Sequence, residues 1–337
     1  MVRTLVARRE HWPLASPFRI SRGVKTAAEV VAVDIAEDGV TGRGEGVPYA
    51  RYDETPDSVL TQVQSIAQAV RAGLTREDLL KALPAGAARN AIDCALWDLE
   101  ARLAGRSVAA LLGRPEPRPL TIARTISLDE PEAMGRAAAA MAGAALLKVK
   151  VDASQPEACL RAVRENALDA RLIVDPNEGW SFDLLRDIQP VLQELKVTLI
   201  EQPLPASEDQ RLAGLSPVVP ICADESCHVA ADLGELAGRY QVVNIKLDKT
   251  GGLTAALELL AAARKQGFGV MVGCMVSSSR SIAPAMLLAG DADFVDLDGS
   301  LWLKSDHEGG VALRDGLLAP PAPGFWGAPC PLSPRIT

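Results

Sequence analysis

Eight short apolar runs divide the middle and later parts of the chain into nearly equal steps. They end at Ile126, Lys150, Asp175, Glu201, Asp224, Lys246, Gly273 and Asp298, 22 to 27 residues apart. Runs of this length indicate buried strands, and each gap is long enough for one helix. Eight such strands predict a parallel α/β barrel with helices around it. No helical pattern follows Asp298, so the expected fold is a modified TIM barrel, (β/α)7β.

The regions on either side of the barrel have a different pattern. Residues 1–115 predict an α+β capping domain, residues 116–305 the barrel, and residues 306–337 a segment that returns to the cap through a strand over residues 310–318. The cap is expected to contain strands at 3–8 and 30–35, a hairpin turn at Asp38-Gly39, and helices at 57–72 and 88–103. Residues 16–29 and 48–52 read as irregular loops over the barrel mouth, and the proline-rich residues 114–119 as a linker.

Composition excludes several classes of partner. The 337 residues include 35 basic and 43 acidic ones, a net charge of −8, which argues against binding to nucleic acid or to an anionic membrane. The longest uncharged apolar stretch, residues 137–147, is too short to cross a bilayer, and the start of the chain has no signal-peptide pattern, so we expect a cytoplasmic protein. The six cysteines show no CxxC pairing and read as small buried residues.

Charged residues occur at the ends of five consecutive predicted strands: Lys150, Asp175, Glu201, Asp224 and Lys246. In a barrel of this kind these ends surround one mouth, where barrel enzymes carry out their chemistry. A single charged strand end is usually only solvated. Five in succession predict an active site.

The three acids predict a metal site. Asp175, Glu201 and Asp224 end neighbouring strands and can converge, and without a cation their repulsion would raise their pKa values. A set of oxygen ligands with open positions favours Mg²⁺. We therefore expect one Mg²⁺ per subunit, held by these three carboxylates.

The lysines predict acid/base chemistry. Lys150 and Lys246 end strands that are four apart in a ring of eight, so they should face each other across the mouth. With a substrate carboxylate on the metal, one lysine could remove the α-proton and the other return a proton to the opposite face. Lys148 lies on the same face of its strand as Lys150. Its charge is expected to lower the pKa of Lys150, so that this lysine can act as a base.

Two other interpretations are compatible with parts of this pattern. A class I aldolase could use Lys246 to form a Schiff base, although the three converging carboxylates would then have no role. A barrel that has lost its catalytic activity could serve as a binding protein, although the intact lysines and carboxylates at the strand ends argue against this.

Several motifs resemble the enolase superfamily, muconate lactonizing enzyme subgroup. They are KVK at 148–150, DPNEGW at 175–180, EQPL at 201–204, ADES at 223–226 and NIKLDKTGG at 244–252. The resemblance covers nearly the whole chain and implies a Mg²⁺-dependent isomerase. It also implies that Asn177 and Glu225 support the site, with Glu225 next to Lys246. Glu178 departs from the common Asp-Ala-Asn-Gln form, and its role stays open.

Two further motifs, VGCMVSSSR at 272–280 and DLDG at 296–299, are most similar to dipeptide epimerases of the alanyl-glutamate type. This resemblance implies a small dipeptide substrate from cell-wall peptide turnover. Asp296 and Asp298 would bind its ammonium group and Arg22 its acidic side chain, with Tyr52 and Ser277 as further substrate contacts. Another dipeptide specificity, an N-succinylamino acid racemase and a cycloisomerase stay open as alternatives. Relatives are commonly oligomers, which allows a homo-oligomer.

Overall fold

An antiparallel sheet forms the first part of the fold in the computed structural model, which describes residues 3–328. Its strands are β1 (Thr4–Ile20), β2 (Gly23–Glu37) and β3 (Val40–Gly46). Pairing of β1 with β2 extends to Ile20 opposite Gly23, so the prediction of an irregular loop over residues 16–29 was wrong. Prolines 13 and 17 disturb the register between Pro13 and Phe18, because proline offers no N–H to the ladder, but pairing resumes beyond them.

The second hairpin confirms the turn predicted from Asp38-Gly39. Glu37 pairs with Val40, and the two central residues have φ angles of 52° and 78°. Positive φ at both positions is the backbone conformation that matches the right-handed twist of the flanking strands.

Five helices complete the cap: α1 (Pro56–Ser65), α2 (Ala67–Arg71), α3 (Arg76–Ala82), α4 (Ala87–Ala104) and α5 (Val108–Leu111). Helix α4 confirms the predicted long helix and ends at Gly105, whose φ is 62°. The first helix begins one residue earlier than expected. Thr55 is its N-cap, because Thr55 and Ser58 satisfy each other's backbone N–H groups in a capping box.

Strand β3 lies against α4 with no side chain between the two backbones. Its glycines at positions 42, 44 and 46 face alanines at positions 95, 91 and 87 of the helix. A Cβ atom on Gly44 would lie 2.0 Å from the carbonyl oxygen of Ala91. This close contact joins the sheet of the cap to its longest helix.

The barrel consists of eight parallel strands in chain order: β4 (Arg124–Ile126), β5 (Leu146–Lys150), β6 (Arg171–Asp175), β7 (Val197–Glu201), β8 (Ile221–Ala223), β9 (Val242–Lys246), β10 (Gly269–Gly273) and β11 (Phe294–Asp296). A hydrogen bond of 2.7 Å from Ala123 N–H to the Val295 carbonyl joins the first strand region to the last. The predicted barrel is therefore confirmed, although β8 ends one residue before Asp224 and β11 two residues before Asp298.

The connections between the barrel strands contain α6 (Pro131–Ala140), α7 (Pro156–Asn166), α8 (Phe182–Asp187), α9 (Gln189–Glu194), α10 (Leu233–Leu236), α11 (Leu247–Thr250), α12 (Leu253–Lys265) and α13 (Ser279–Ala289). The connection after β7 differs from the expected pattern, since it is a 3-10 helix over Ala206–Gly214. Inside the barrel, apolar side chains including Leu146, Ile173, Leu199 and Met271 pack against one another. They fill the interior below the polar strand ends.

Beyond the barrel the chain forms a small hairpin, β12 (Ala312–Arg314) and β13 (Leu317–Ala319). A continuous strand over residues 310–318 was therefore a wrong prediction, because Asp315 and Gly316, with φ angles of 50° and 78°, reverse the chain. Contact with the cap comes later: Gly327 N–H donates to Asp98 at 2.7 Å. Residues 329–337 of the predicted C-terminal segment, including Cys330, lie outside the described residues.

Two expectations about the whole chain can be compared with residues 3–328. The five cysteines in this range are unpaired; four are buried and Cys274 is partly exposed, in agreement with small buried residues. Over the same range, no helix has both the length and the apolar character that crossing a bilayer requires.

Candidate active site

A cavity of about 600 Å³, including the open space at its mouth, lies where the carboxyl ends of the barrel strands meet the β1–β2 hairpin. It brings together most of the predicted site residues: Arg22, Tyr52, Lys148, Lys150, Asn177, Asp224, Glu225, Lys246, Asp296 and Asp298. Asp175 and Glu201 are fully buried at the ends of their strands. The site therefore combines loops of the cap with a rigid barrel mouth.

Strand β5 places two buried ammonium groups at this mouth. Lys148 Nζ lies 2.6 Å from Glu201 Oε2, 2.7 Å from Asp296 Oδ2 and 3.0 Å from Asp175 Oδ2. Lys150 Nζ donates to Asp175 Oδ2 at 2.5 Å and to Asn177 Oδ1 at 3.0 Å. Buried charges of this kind are tolerated because each has oppositely charged partners.

Lys246 approaches from the other side, since β9 is four strands away from β5 in the ring of eight. Its Nζ donates to Asp224 Oδ2 at 2.6 Å. Burial lowers the pKa of Lys246, but the charges of Asp224 and Glu201 outweigh it and raise that pKa well above its ordinary value. The protein groups alone therefore keep Lys246 protonated and able to donate a proton.

The three predicted metal ligands fit a hard divalent cation. Asp175, Glu201 and Asp224 are buried carboxylates on consecutive strand ends, and the ammonium of Lys148 lies 2.6 Å from Glu201 Oε2. Burial and the charge of Asp175 raise the pKa of Glu201 to about 8. In Asp175 and Asp224 burial acts in the same direction, but neighbouring lysines hold the pKa values below the ordinary value. The three carboxylates offer only oxygen ligands, and neighbouring cations neutralise the charge of Glu201 incompletely. Such a group of ligands is suited to Mg²⁺.

A second group of metal-ligand side chains lies elsewhere. Among residues 3–328, Glu10, Glu45 and His307 have ligand atoms within 4.8 Å of one another, a spacing that the three strand-end acids do not reach. Lys148 explains the wider spacing, because its ammonium lies between Asp175 and Glu201. The Glu10 group has protein partners of its own, including Arg8 at 2.8 Å from Glu10. The strand-end acids stay the proposed metal ligands, because they end neighbouring strands at the mouth of the barrel.

Two further acids border the cavity after β11. Asp296 binds Lys148, and Asp298 Oδ2 accepts a hydrogen bond from Thr125 N–H at 2.7 Å. Burial and the charge of Asp296 raise the pKa of Asp298 to about 6. Strand β11 lies four strands from β7, so this pair is opposite Glu201 and can receive a cationic group.

Arg22 extends from the tip of the β1–β2 hairpin into ion pairs with protein acids. Its Nη2 lies 2.6 Å from Glu225 Oε1, and its Nη1 lies 3.0 Å from Glu178 Oε2. Glu225 was expected next to Lys246, but its carboxylate forms an ion pair with Arg22. Arg22 also donates to Tyr49 Oη at 3.0 Å, so most of its hydrogen-bonding capacity is used within the protein.

Lys25 is a cavity residue that the sequence reasoning missed. Its Nζ lies 4.7 Å from the centre of the Tyr49 ring, and within residues 3–328 no carboxylate lies within 4.0 Å of it. Burial and the charges of Lys246 and Arg22 lower the pKa of Lys25 to about 8. The pairing of Lys25 with Phe18 in the hairpin would have revealed it, had residues 16–29 been recognised as strands.

Lys249 was also missed. It is buried, and its Nζ donates to Asp224 Oδ1 at 2.7 Å and to the Asn244 carbonyl at 2.9 Å. Lys246 and Lys249 thus hold the two oxygens of the same carboxylate. The signal in the sequence was a second lysine less than one helical turn after Lys246.

The structure does not bring Ser277 into the cavity. Its side chain is fully buried, and its hydroxyl donates to the Met275 carbonyl at 3.1 Å. Cys274, Met275 and Val276 form this part of the cavity wall instead. The backbone turns after β10, so the three preceding residues face the cavity.

Comparison with known proteins covers nearly the whole chain. Residues 2–113 match the mandelate racemase / muconate lactonizing enzyme N-terminal domain, and residues 132–325 match the enolase C-terminal domain-like family. An L-Ala-D/L-Glu epimerase of Escherichia coli (strain K12) is 47% identical over 94% of this chain and 99% of its own length. An N-acetyl-D-glutamate racemase of a Pseudoalteromonas species is 45% identical over 88% of this chain and 95% of its own.

Solved structures agree with these matches. An enolase family member from Agrobacterium tumefaciens with homology to dipeptide epimerases, containing bound sodium and L-Ala-L-Glu with an ordered loop, superimposes with a TM-score of 0.94 at 48% identity. The match covers 96% of this chain and all of that one. A dipeptide epimerase from Enterococcus faecalis V583, complexed with Mg and L-Leu-L-Tyr, has a TM-score of 0.88 at 30% identity, covering 97% and 99% of the two chains.

Proposed function

Because the chain belongs to the mandelate racemase/muconate lactonizing enzyme family of the enolase superfamily, we propose that it is a Mg²⁺-dependent dipeptide epimerase acting on alanyl-glutamate. The reaction is inversion of the α-carbon of the C-terminal residue by a 1,1-proton transfer. The observation that carries the proposal is the position of Lys150 and Lys246 on opposite sides of one cavity that also contains the predicted metal ligands.

Asp175, Glu201 and Asp224 would hold the Mg²⁺, whose chemistry is to bind the substrate carboxylate and stabilise the negative charge that develops as the α-proton leaves. Lys148 is surrounded by Asp175, Glu201 and Asp296, and it stays charged because their attraction outweighs the effect of burial and raises its pKa. It therefore supplies a fixed positive charge at the same end of the substrate.

Lys150 and Lys246 have reciprocal roles in the proposed reaction. The lysine on one face, in its neutral form, takes the α-proton, and the protonated lysine on the other face donates a proton to the opposite side of the carbon. Inversion follows because removal and return occur on different faces. For the reverse substrate the two lysines exchange roles.

The two ends of the cavity support a substrate with a free ammonium and an acidic side chain. Asp296 and Asp298 are suited to the ammonium group of the first residue. At the cap side, no carboxylate among residues 3–328 lies within 4.0 Å of Lys25 Nζ, whereas Arg22 pairs with two. Lys25 is therefore the cation better able to receive the glutamyl side chain, with Tyr52 beside it in the cavity wall. The similarity to the L-Ala-D/L-Glu epimerase of Escherichia coli supports the same substrate.

Incubation with L-Ala-L-Glu and Mg²⁺ in heavy water tests the proposal. We expect deuterium at the glutamyl α-carbon together with the D-Glu epimer, detected by mass spectrometry and NMR. A dipeptide library screened in the same way identifies another specificity. Absence of deuterium from every dipeptide would contradict the proposal.

N-acylamino acid racemisation is a second candidate, supported by the similarity to the N-acetyl-D-glutamate racemase. An N-acyl substrate lacks the ammonium group, so the acids after β11 should matter less to it. If N-acetylglutamate is the true substrate, Asp298→Asn should leave its kcat/KM nearly unchanged. If a dipeptide is the substrate, the same change should lower kcat/KM for the dipeptide.

We propose that the protein acts in the cytoplasm on dipeptides released by cell-wall peptide turnover. The five unpaired cysteines of residues 3–328 support a reducing compartment. A homo-oligomer stays a prediction.

A further inference from the structure

We propose that Glu178 is the anchor by which the barrel holds both substrate-facing loops of the cap, and that it is therefore a positioning residue for substrate binding. The two loops are the hairpin tip, residues 20–25, and the cap loop, residues 49–53. The kinetic part of this inference rests on the proposed function. Its structural part does not.

Glu178 is itself fixed firmly in the barrel. It follows β6 and has a φ of 66°, directly after Asn177 with a φ of 47°. Two successive non-glycine residues in the left-handed region are uncommon and persist only where surrounding contacts hold them. Here the Glu178 N–H donates to the Gln202 carbonyl at 2.9 Å, and its Oε1 accepts from Ala206 N–H at 2.9 Å. The carboxylate is therefore a rigid feature of the mouth.

Both cap loops are attached to this one carboxylate. Arg51 of the cap loop binds it with two hydrogen bonds, Nε to Oε2 at 2.7 Å and Nη2 to Oε1 at 2.8 Å. Arg22 of the hairpin tip donates to Oε2 at 3.0 Å, and it also donates to the Asn177 carbonyl at 2.7 Å and to Glu225 Oε1 at 2.6 Å. Paired arginine–carboxylate hydrogen bonds are among the stronger polar contacts in proteins and fix orientation as well as distance.

The contact is also protected from solvent and connects the loops to each other. The Glu178 side chain is only 7% exposed, so water competes weakly for it. Arg22 donates to Tyr49 Oη at 3.0 Å, which links the hairpin tip directly to the cap loop. The charges of Arg22 and Arg51 are balanced by the carboxylates of Glu178 and Glu225.

Loss of the anchor should affect binding more than chemistry. Ile20 and Lys25 of the hairpin tip, and Tyr49 and Tyr52 of the cap loop, line the cavity. Their positions depend on the loops. Lys150 and Lys246, in contrast, stand on barrel strands and have partners in the barrel. Release of the loops should therefore raise KM while leaving kcat nearly unchanged.

The test uses the full-length variant Glu178→Gln, which keeps the shape of the side chain and removes its charge. Hydrogen–deuterium exchange followed by mass spectrometry should show about tenfold faster exchange in residues 20–25 and 49–53, the change expected for losing one charged hydrogen bond. KM for the dipeptide should rise about tenfold. The value of kcat should stay within about twofold, and Mg²⁺ affinity by calorimetry and Tm should match the wild type.

The exterior of the barrel offers a matched control. Arg161 of α7 binds Glu194 of α9 with two hydrogen bonds of 2.6 and 2.8 Å, and neither residue lines the cavity. Glu194→Gln removes a similar pair and should change none of these measurements. Arg51→Gln is a second test variant, which releases the cap loop without altering the barrel and should accelerate exchange in residues 49–53.

Unchanged exchange in both segments of Glu178→Gln, or in residues 49–53 of Arg51→Gln, would overturn the inference. A fall in kcat or in Mg²⁺ affinity with unchanged KM would also overturn it, because Glu178 would then act on the barrel site. The exchange measurement requires no substrate. It therefore tests the anchor even if the proposed epimerase activity is absent.

Discussion

Lys246 Nζ lies 2.6 Å from Asp224 Oδ2, so a proposed acid/base lysine is paired directly with a proposed metal ligand. Lys249 binds the other oxygen of the same carboxylate. Any cation that coordinates Asp224 must therefore share it with at least one lysine. Metal binding and the protonation of Lys246 are expected to be linked, because withdrawal of the Asp224 charge removes the main cause that raises the pKa of Lys246.

Mg²⁺ should stabilise the fold as well as support activity. It relieves the repulsion among three buried carboxylates, and a ligand present at one hundred times its Kd adds about 2.7 kcal/mol to the free energy of unfolding. Differential scanning fluorimetry should show a higher Tm with Mg²⁺ than with EDTA, and EDTA should abolish deuterium incorporation. Asp224→Asn is the control. A Mg²⁺-dependent shift of the same size in this variant would contradict the assigned site.

Replacing either lysine should stop epimerisation. We expect Lys150→Ala and Lys246→Ala each to lower the epimerisation rate by about 10²–10⁴-fold, the usual contribution of a general acid or base. Each variant should still exchange the α-proton of one stereoisomer, the one that meets the remaining lysine as base. NMR of separate L-Glu and D-Glu dipeptides in deuterated water measures this. Exchange of both stereoisomers by either variant would rule out the two-base mechanism.

The lowered pKa of Lys25 predicts a pH-dependent affinity for acidic dipeptides. With a pKa of about 8, Lys25 is mainly charged below pH 8 and mainly neutral above it, so its attraction for a glutamyl carboxylate is lost as pH rises through 8. KM for Ala-Glu should therefore rise above pH 8. Lys25→Arg should remove this rise, since arginine stays charged.

Ala-Gln provides the control for this pH profile. Its side chain is similar in shape to that of Ala-Glu but carries no charge, so its KM should not follow the titration of Lys25. The same rise in KM for both dipeptides would show that a different group is responsible.

The strand ends were predictable from the sequence, because each follows a short apolar run and regular spacing locates all eight. The residues that the cap contributes to the site were not predictable from the sequence. Lys25 enters the cavity through pairing of β1 with β2, which the prolines at positions 13 and 17 obscured. The acidic partners of Arg22 are more than 150 residues away in sequence, after two different barrel strands, and no local pattern indicates them. Ser277 was expected to contact the substrate, and this was wrong because the orientation of its side chain depends on the turn after β10.

The contact between β3 and α4 predicts a large loss of stability from one added methyl group. Gly44→Ala would place a Cβ atom 2.0 Å from the Ala91 carbonyl oxygen, so one of the two backbones must move. Overpacking of this kind costs about 1–3 kcal/mol, and the upper part of that range is expected here because backbone atoms cannot rotate away. Urea unfolding measures the change. Gly214→Ala is the control, since a Cβ there meets no atom within 4 Å. Equal midpoints for the two variants would contradict this account of how the cap sheet is held against its helix.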